Sequence, residues 1–246
     1  MTDFARYSRQ VVLREVGVNG QQLIRDSSVL VIGLGGLGSA ASLYLAGAGV
    51  GRLLIADRDR VEASNLQRQL LYRREDVGRP KTEAAHERLA ALNPDVELEL
   101  FEGRLEPARL AQMVNAADVV LDCTDNFPTR FAINAACVRA RKPLVSGAAI
   151  RFEGQVAVFD PRRADGACYA CVFPEEGAAG EICEEAGVLG PVVGTIGSLQ
   201  ALAALKLLLG RGEDVNRLRI WNALDMNWRT MTVAKDPGCK ACGAQR

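Results

Sequence analysis

The chain has 246 residues, enough for one sizeable core or a main domain with a smaller appendage. Hydrophobic residues make up 48% and charged residues 24%, the balance expected of a soluble globular protein. Thirty basic and thirty acidic residues cancel. Nothing in the overall charge therefore favours nucleic acid or an anionic membrane, and any phosphate affinity has to be local.

The N-terminal stretch is charged throughout and lacks the apolar core of a secretory signal. Val29–Ile32 reads as a short apolar strand, Leu37–Ala48 as an Ala-rich helix and Arg52–Ala56 as a second strand. Lys81–Leu92 is an amphipathic helix stopped by Asn93-Pro94, and Glu97–Phe101 alternates as a strand does. Pro107–Asn115 and Thr129–Ala140 read as helices around a buried strand at Val119–Leu121. This alternation predicts a Rossmann-like, mostly parallel α/β sheet with helices on both faces.

Near Pro143 the pattern becomes β-rich. Leu144–Ile150 and Gly154–Phe159 read as strands with a turn at Glu153-Gly154, and the sheet is expected to continue into an antiparallel C-terminal extension. Phe173 to Gly190 is a long Gly- and Glu-rich irregular run. The longest apolar stretch, Val188 to Leu209, is interrupted by Ser198, Gln200 and Lys206; its helical part, Thr195–Leu209, falls short of the roughly 20 residues that cross a bilayer. Arg217–Trp221 and Arg229–Ala234 read as final strands. The expectation is a single domain over 1–246 in a cytoplasmic protein, with a nucleotide-binding half at 1–142 and a β-rich half at 143–246. In that compartment the seven cysteines are reduced.

Gly33-x-Gly35-x-x-Gly38 follows the first strand and opens the first helix, the setting in which this spacing binds nucleotides. Gly33 permits the tight turn, Gly35 lets backbone approach a phosphate, Gly38 allows close helix–strand packing, and Gly36 leaves the turn bare. The helix N-terminus adds unpaired N–H groups and partial positive charge. Asp57, ending the second strand, is placed to accept hydrogen bonds from ribose hydroxyls.

That fingerprint alone suggests NAD or FAD, but the residues behind it favour chemistry on phosphates. Asp57-Arg58-Asp59-Arg60-Val61 and Ser64-Asn65-Leu66-Gln67-Arg68-Gln69 place two carboxylates and a polar, cationic set directly after the second strand. Arg68 and Lys81 bring cations near the phosphate position, and Asn65 an amide donor. Asp125 follows a buried strand at its carboxyl end, where open α/β sheets bind ligands, and a carboxylate there suits Mg²⁺ bridging ATP phosphates. Cations and Mg²⁺ stabilise the charge that builds as pyrophosphate leaves an α-phosphate. Each cation taken singly reads as a solvated surface charge; their joint placement favours ATP.

Cys168-x-x-Cys171 and Cys239-x-x-Cys242 supply four thiolates, a closed tetrahedral set suited to structural Zn²⁺ that clamps the C-terminal tail onto the β-rich extension. Cys183, among glutamates, is either an incidental loop cysteine or a catalytic thiol, its pKa raised by the nearby carboxylates. Cys123 and Cys137 fit buried packing positions. His86, the single histidine, reads as surface decoration, so no imidazole is available for a mechanism that needs one.

Arg6-Tyr7-Ser8-Arg9-Gln10, the GLGGLG turn, Asp57-x-Asp59-x-Val61, Ser64-Asn65-Leu66-x-Arg68-Gln69, Gly78-x-Pro80-Lys81, Asp122-Cys123-Thr124-Asp125-Asn126, Ser146-Gly147-Ala148-Ala149 and both cysteine pairs together resemble the MoeB/ThiF family, bacterial relatives of ubiquitin-activating enzymes. The resemblance covers nearly the whole chain. It implies adenylation of the C-terminal glycine of a small ubiquitin-like sulfur carrier, either MoaD-like, for molybdenum cofactor synthesis, or ThiS-like, for thiamine synthesis. By the same resemblance Asp57, with Asp59 beside it, binds ribose, Asn65, Arg68 and Lys81 bind the triphosphate, and Asp125 holds Mg²⁺. Arg9 matches an arginine that reaches into the partner subunit's site, which implies a homodimer. Cys183 matches a cysteine that some members link to their carrier through sulfur. The chain ends just past the zinc motif, without the rhodanese-like domain of some relatives, so sulfur delivery in cis is not expected. Two readings of other classes remain: a nucleotide-dependent oxidoreductase, which leaves the polar set without a task, and a non-catalytic, zinc-stapled module that recognises a ubiquitin-like tail.

Overall fold

The computed structural model describes residues 5–173 and 186–243. Its centre is set by three short apolar runs, β1 (Ser28–Ile32), β2 (Arg52–Asp57) and β4 (Val119–Asp122), which are buried on both faces. Such runs belong inside a parallel sheet, where helices cover both sides. With β3 (Glu97–Glu102), β5 (Leu144–Ile150), β6 (Glu153–Phe159), β7 (Arg217–Asn222) and β8 (Asn227–Thr232) they form one sheet in the order β3-β2-β1-β4-β5-β6-β7-β8. Pairing is parallel from β3 to β5 and antiparallel from β5 to β8, the parallel core and antiparallel extension the sequence predicts.

Successive strand residues point to opposite faces, and two cores result. Val29, Val31, Leu53, Ile55 and Leu121 pack with α3 (Gly36–Ala48), α4 (Lys81–Leu92) and α8 (Gly190–Leu208). Leu30, Ile32, Leu54 and Val120 pack with α5 (Pro107–Ala116) and α6 (Phe127–Ala140) on the other side. Two helices near the N-terminus, α1 (Ser8–Val11) and α2 (Gly17–Arg25), the short α7 (Tyr169–Val172) and 3₁₀ turns at Ala5–Tyr7, Ala63–Asn65 and Arg74–Asp76 flank this frame.

Three differences from the sequence reading have local causes. The β5–β6 turn is Arg151-Phe152, because Ile150 pairs with Glu153 and Gly154 lies inside β6. Arg151 takes the positive φ of 53° that a tight turn needs, whereas Gly154 serves packing: a Cβ there would sit 2.4 Å from Ile196 of α8. The apolar helix starts at Gly190, five residues early, with Pro191 in its first turn, where a missing N–H costs nothing. At 19 residues α8 is long and apolar enough to cross a membrane by composition, so the shorter expected length is corrected. It is packed as a core helix instead, with Val192, Val193, Ile196, Ala201 and Ala204 buried against α3 and the sheet. Finally, β8 begins at Asn227, since Trp228 pairs with Trp221 and the two rings stack 5.4 Å apart.

Candidate nucleotide site and cysteine cluster

The sheet order reverses between β1 and β4: β1 leads outward to β2 on one side, while β4 continues the sheet on the other. Loops leaving the carboxyl ends of two such strands diverge and open a crevice. Here those loops are the glycine turn and Cys123–Asn126, in direct contact. Gly33 has a φ of +89°, and a Cβ on it would lie 2.8 Å from the Cys123 carbonyl oxygen. Gly38 is tighter still, since its Cβ would come within 1.8 Å of the Gly33 carbonyl. Gly35 is the open position, with no atom nearer than 3.7 Å to a Cβ built there. Gly36, read from sequence as leaving the turn bare, instead makes room for Val193 of α8, 2.6 Å from its would-be Cβ. Tyr72 supports the turn by donating its hydroxyl to the Leu34 carbonyl at 2.9 Å.

Asp57 closes the other side of the turn. One carboxylate oxygen accepts the Leu34 N–H at 2.6 Å and the other the Asp59 N–H at 2.8 Å. Burial raises its pKa, while the Lys81 charge and these two N–H groups pull it back. Lys81 opens α4, where the helix dipole disfavours a cation, and its side chain is only 6% exposed. Asp59 offsets that cost: its carboxylate accepts from Lys81 Nζ at 2.9 Å and its carbonyl from the Lys81 N–H at 3.0 Å. The ammonium is thereby held beside Asp57.

Asn65 is buried in a 3₁₀ turn, with its side-chain oxygen on the Glu62 N–H at 3.3 Å. Arg68 lies back on its own loop, donating to the Ser64 carbonyl at 3.1 Å. Gln69, quoted from sequence without a role, has its amide nitrogen 3.7 Å from the Cβ position of Gly35. It is 4% exposed, and its side-chain oxygen has no hydrogen-bond partner among the described residues. The amide nitrogen thus flanks the open glycine, and the buried oxygen beside it has hydrogen-bonding capacity to spare. The N-terminus of α8 leans on this same loop, with Gly190 against the Gln67 carbonyl.

Asp125 is exposed on the loop after β4, where Asn126 donates to it at 3.3 Å. Asn126 also caps α6, accepting the Thr129 N–H at 3.0 Å. The neighbouring Asp122 is fully buried and fully used: Thr124 N–H, Thr124 hydroxyl and Ser146 hydroxyl all donate to its carboxylate. Gln200 of α8 donates to the Asp122 and Val145 carbonyls at 2.8 and 3.2 Å. A polar residue interrupting an apolar helix was the signal for that contact. Mg²⁺ takes oxygen ligands and favours one or two carboxylates plus phosphates. The exposed Asp125 fits that demand and Asp122, spent on hydrogen bonds, does not.

The structure does not bring Arg9 to this crevice within one chain. Its neighbours Tyr7 and Gln10 are anchored at the opposite end of α3, against Gly49 and the Ala48 carbonyl. The 13 residues of α3 put that end about 20 Å from the glycine turn at 1.5 Å per residue. Arg9 itself is exposed. Cys183 lies outside the described residues. Cys123 and Cys137 are buried, and desolvation raises both thiol pKa values, which suits packing residues.

Cys168, Cys171, Cys239 and Cys242 converge, with their sulfurs all within 4.8 Å of one another. Pairs at 3.9, 3.7 and 3.4 Å rule out disulfides, whose sulfurs are about 2.05 Å apart. A tetrahedral zinc with bonds of about 2.3 Å spaces its sulfurs about 3.8 Å apart, so the donor set fits Zn²⁺. N–H groups of Cys168 and Asp236 point at Cys171 Sγ at 3.5 Å each, as a thiolate requires.

The chain is similar to known proteins over nearly its whole length. The ThiF family model matches residues 7–241. The ThiS adenylyltransferase of Escherichia coli is 49% identical over 241 residues, covering 98% of this chain and 96% of its own. The molybdopterin-synthase adenylyltransferase of the same species is 45% identical over 242 residues, covering 98% and 97%. The sulfur carrier protein adenylyltransferase of Thermus thermophilus is 46% identical, covering 97% and 90%. Among solved structures, E. coli MccB with ATP superposes with a TM-score of 0.84 at 24% identity, over 97% of this chain and 73% of that one, which shows the shared fold. The chain belongs to the ThiF family, as an enzyme of the adenylyltransferase type.

Proposed function

We propose that the chain adenylates the C-terminal glycine carboxylate of a small ubiquitin-like sulfur-carrier protein, using ATP. The observation that carries this reading is the junction at the sheet reversal: an open Gly35, a ribose-type carboxylate at Asp57, a buried cation at Lys81 and an exposed carboxylate at Asp125 share one crevice. In the proposed reaction a carrier carboxylate oxygen forms a bond to the α-phosphorus of ATP. The bond from that phosphorus to its bridging oxygen breaks, and pyrophosphate leaves with the electron pair. No general base is required, because a carboxylate is ionised at neutral pH. Two anions must meet, so Asn65, Arg68 and Lys81 are assigned to the triphosphate, with Gln69 facing the glycine turn. Mg²⁺ held by Asp125 would supply further charge neutralisation when bound.

Arg9 is assigned to the site of a second subunit. Its distance from the chain's own crevice supports a homodimer in which each protomer completes the other. Residues 1–142 form the nucleotide half in this scheme and 143–246 the carrier half, in a cytoplasmic enzyme without nucleic-acid or membrane partners. A MoaD-like carrier in molybdenum cofactor synthesis is the leading substrate, and a ThiS-like carrier in thiamine synthesis the alternative. The relatives at 45% and 49% identity act, by name, in one context each and do not separate the two. The test is ATP–pyrophosphate isotope exchange with each purified carrier, and with each carrier shortened by its terminal glycine. Exchange with one full-length carrier alone identifies the substrate; absence of exchange with both removes the adenylation reading.

A further inference from the structure

The cysteine cluster and the Asp125 loop are joined by one helix. α6 starts directly after that loop, and its buried face carries Arg130 and Asn134, four residues apart and therefore one above the other. At the first turn, Arg130 donates from Nη2 to the Thr124 carbonyl at 2.5 Å, the residue next to Asp125. One turn later, Asn134, 1% exposed, donates from Nδ2 to Cys168 Sγ at 3.6 Å and accepts the Tyr169 N–H at 2.9 Å. Tyr169 fills the space between, edge-on to Phe131 at 5.4 Å and to Phe159 at 6.3 Å. A buried guanidinium and a buried amide are costly unless each is bonded, so neither of these two turns moves without breaking a desolvated contact.

We infer that the first two turns of α6 are a strut between the metal-type cysteine cluster and the Asp125 loop, with Arg130 and Asn134 as positioning residues where the strut meets the loop and the cluster. The cluster therefore sets the place of the loop as well as tethering the C-terminal tail. Outer-shell donors to metal thiolates typically change metal affinity by about 10–100-fold when lost, which gives Asn134 a readout independent of turnover. The loop's assignment to Mg²⁺ rests on the proposed function; the strut does not.

The experiment is amide hydrogen exchange by mass spectrometry on the zinc-loaded and chelator-stripped protein, following a peptide that contains the Thr124 and Thr129 amides. Stripping is expected to speed exchange at these amides about tenfold or more while a β2 peptide, residues 52–57, keeps its protection. Unchanged exchange at 124 and 129 beside a loosened tail overturns the strut. If the stripped protein unfolds throughout, Asn134→Leu in the zinc-loaded state decides instead. It is expected to release zinc to a chelator about tenfold faster and to loosen the same two amides, and wild-type exchange there refutes the coupling. Arg130→Met should loosen the loop without speeding zinc release, and Arg130→Lys should restore part of the protection. None of these measurements uses a carrier, so a negative pyrophosphate exchange leaves their outcome untouched.

Discussion

Gly38→Ala and Gly47→Ala make the same chemical change on one helix and should have opposite effects. At Gly38 the new Cβ would lie 1.8 Å from the Gly33 carbonyl oxygen, where about 3.3 Å is an ordinary close approach. The Cβ is fixed by the α3 backbone and the oxygen belongs to the backbone of the turn, so no side-chain rotation relieves the overlap. Overpacking of this kind costs about 1–3 kcal/mol, and a fixed backbone partner places Gly38→Ala at the upper end. For a chain of this size about 3 kcal/mol corresponds to a melting point roughly 6–12 °C lower. The displaced Gly33 would also move the phosphate-facing turn, so affinity for an ATP analogue should fall with it. At Gly47 nothing lies within 4 Å, and the residue is exposed in the last turn of α3. Replacing a helical glycine there removes unfolded-state freedom and should stabilise by about 0.5 kcal/mol, roughly 1–2 °C. Thermal melting followed by circular dichroism, with a fluorescent ATP titration, reads both effects. A Gly38→Ala protein with wild-type melting, or a Gly47→Ala protein damaged as badly, would refute the packing argument.

Asp125→Ala should abolish pyrophosphate exchange while shifting stability by no more than about 0.5 kcal/mol, because the side chain is exposed; an unchanged exchange rate excludes it as the metal ligand. Lys81→Met keeps the buried stem and removes the charge held on Asp59. A folded protein with at least tenfold weaker use of ATP is expected, and a wild-type KM for ATP would withdraw Lys81 from the triphosphate. For Asp57, burial raises the carboxyl above its usual value of about 3.9. As pH falls through that raised value the carboxylate is protonated and ATP binding should weaken. The stability contribution has the opposite sign: the folded form binds this proton more tightly than the unfolded, so the contribution is present below about 3.9 and is lost as pH rises through the folded value. ATP affinity measured against pH should lose its acid limb in Asp57→Asn, and identical profiles would contradict the assignment. Cys239→Ser should purify with less zinc and melt lower, since structural zinc contributes folding free energy; identical zinc content and melting would remove the metal from the cluster.

Periodicity and turn chemistry located most elements. Short apolar runs placed β1, β2 and β4, and the Gly33–Gly38 spacing marked the turn because its φ and close contacts demand glycine at specific positions. Boundaries slipped where a long-range neighbour mattered more than local preference. Gly154 looked like a turn residue but is a strand residue cleared for Ile196, and α8 already begins at Gly190, where the Gln67 carbonyl leaves no room for a side chain. Neither neighbour is near in sequence, and a one-dimensional pattern carries no information about which distant side chain arrives.

The same division holds at the site. Residue types and spacing alone indicate that a nucleotide binds, that cations and carboxylates gather behind the turn, and that four cysteines suit one metal, because these follow from valence, charge and short-range backbone geometry. The fold adds the contacts between segments: Lys81 placed on Asp59 beside Asp57, Asp122 withdrawn from metal binding by three hydrogen bonds, Gln69 turned to the open glycine, and Arg130 with Asn134 spanning from the loop to the cysteines. It also sets Arg9 a helix length away from its own crevice. Lys81 on Asp59, Ser146 on Asp122, Gln69 by Gly35 and Asn134 on Cys168 each join groups 20 or more residues apart in a desolvated interior, where a single unpaired polar atom costs about 1–3 kcal/mol. That energy exists only once the chain has closed around them.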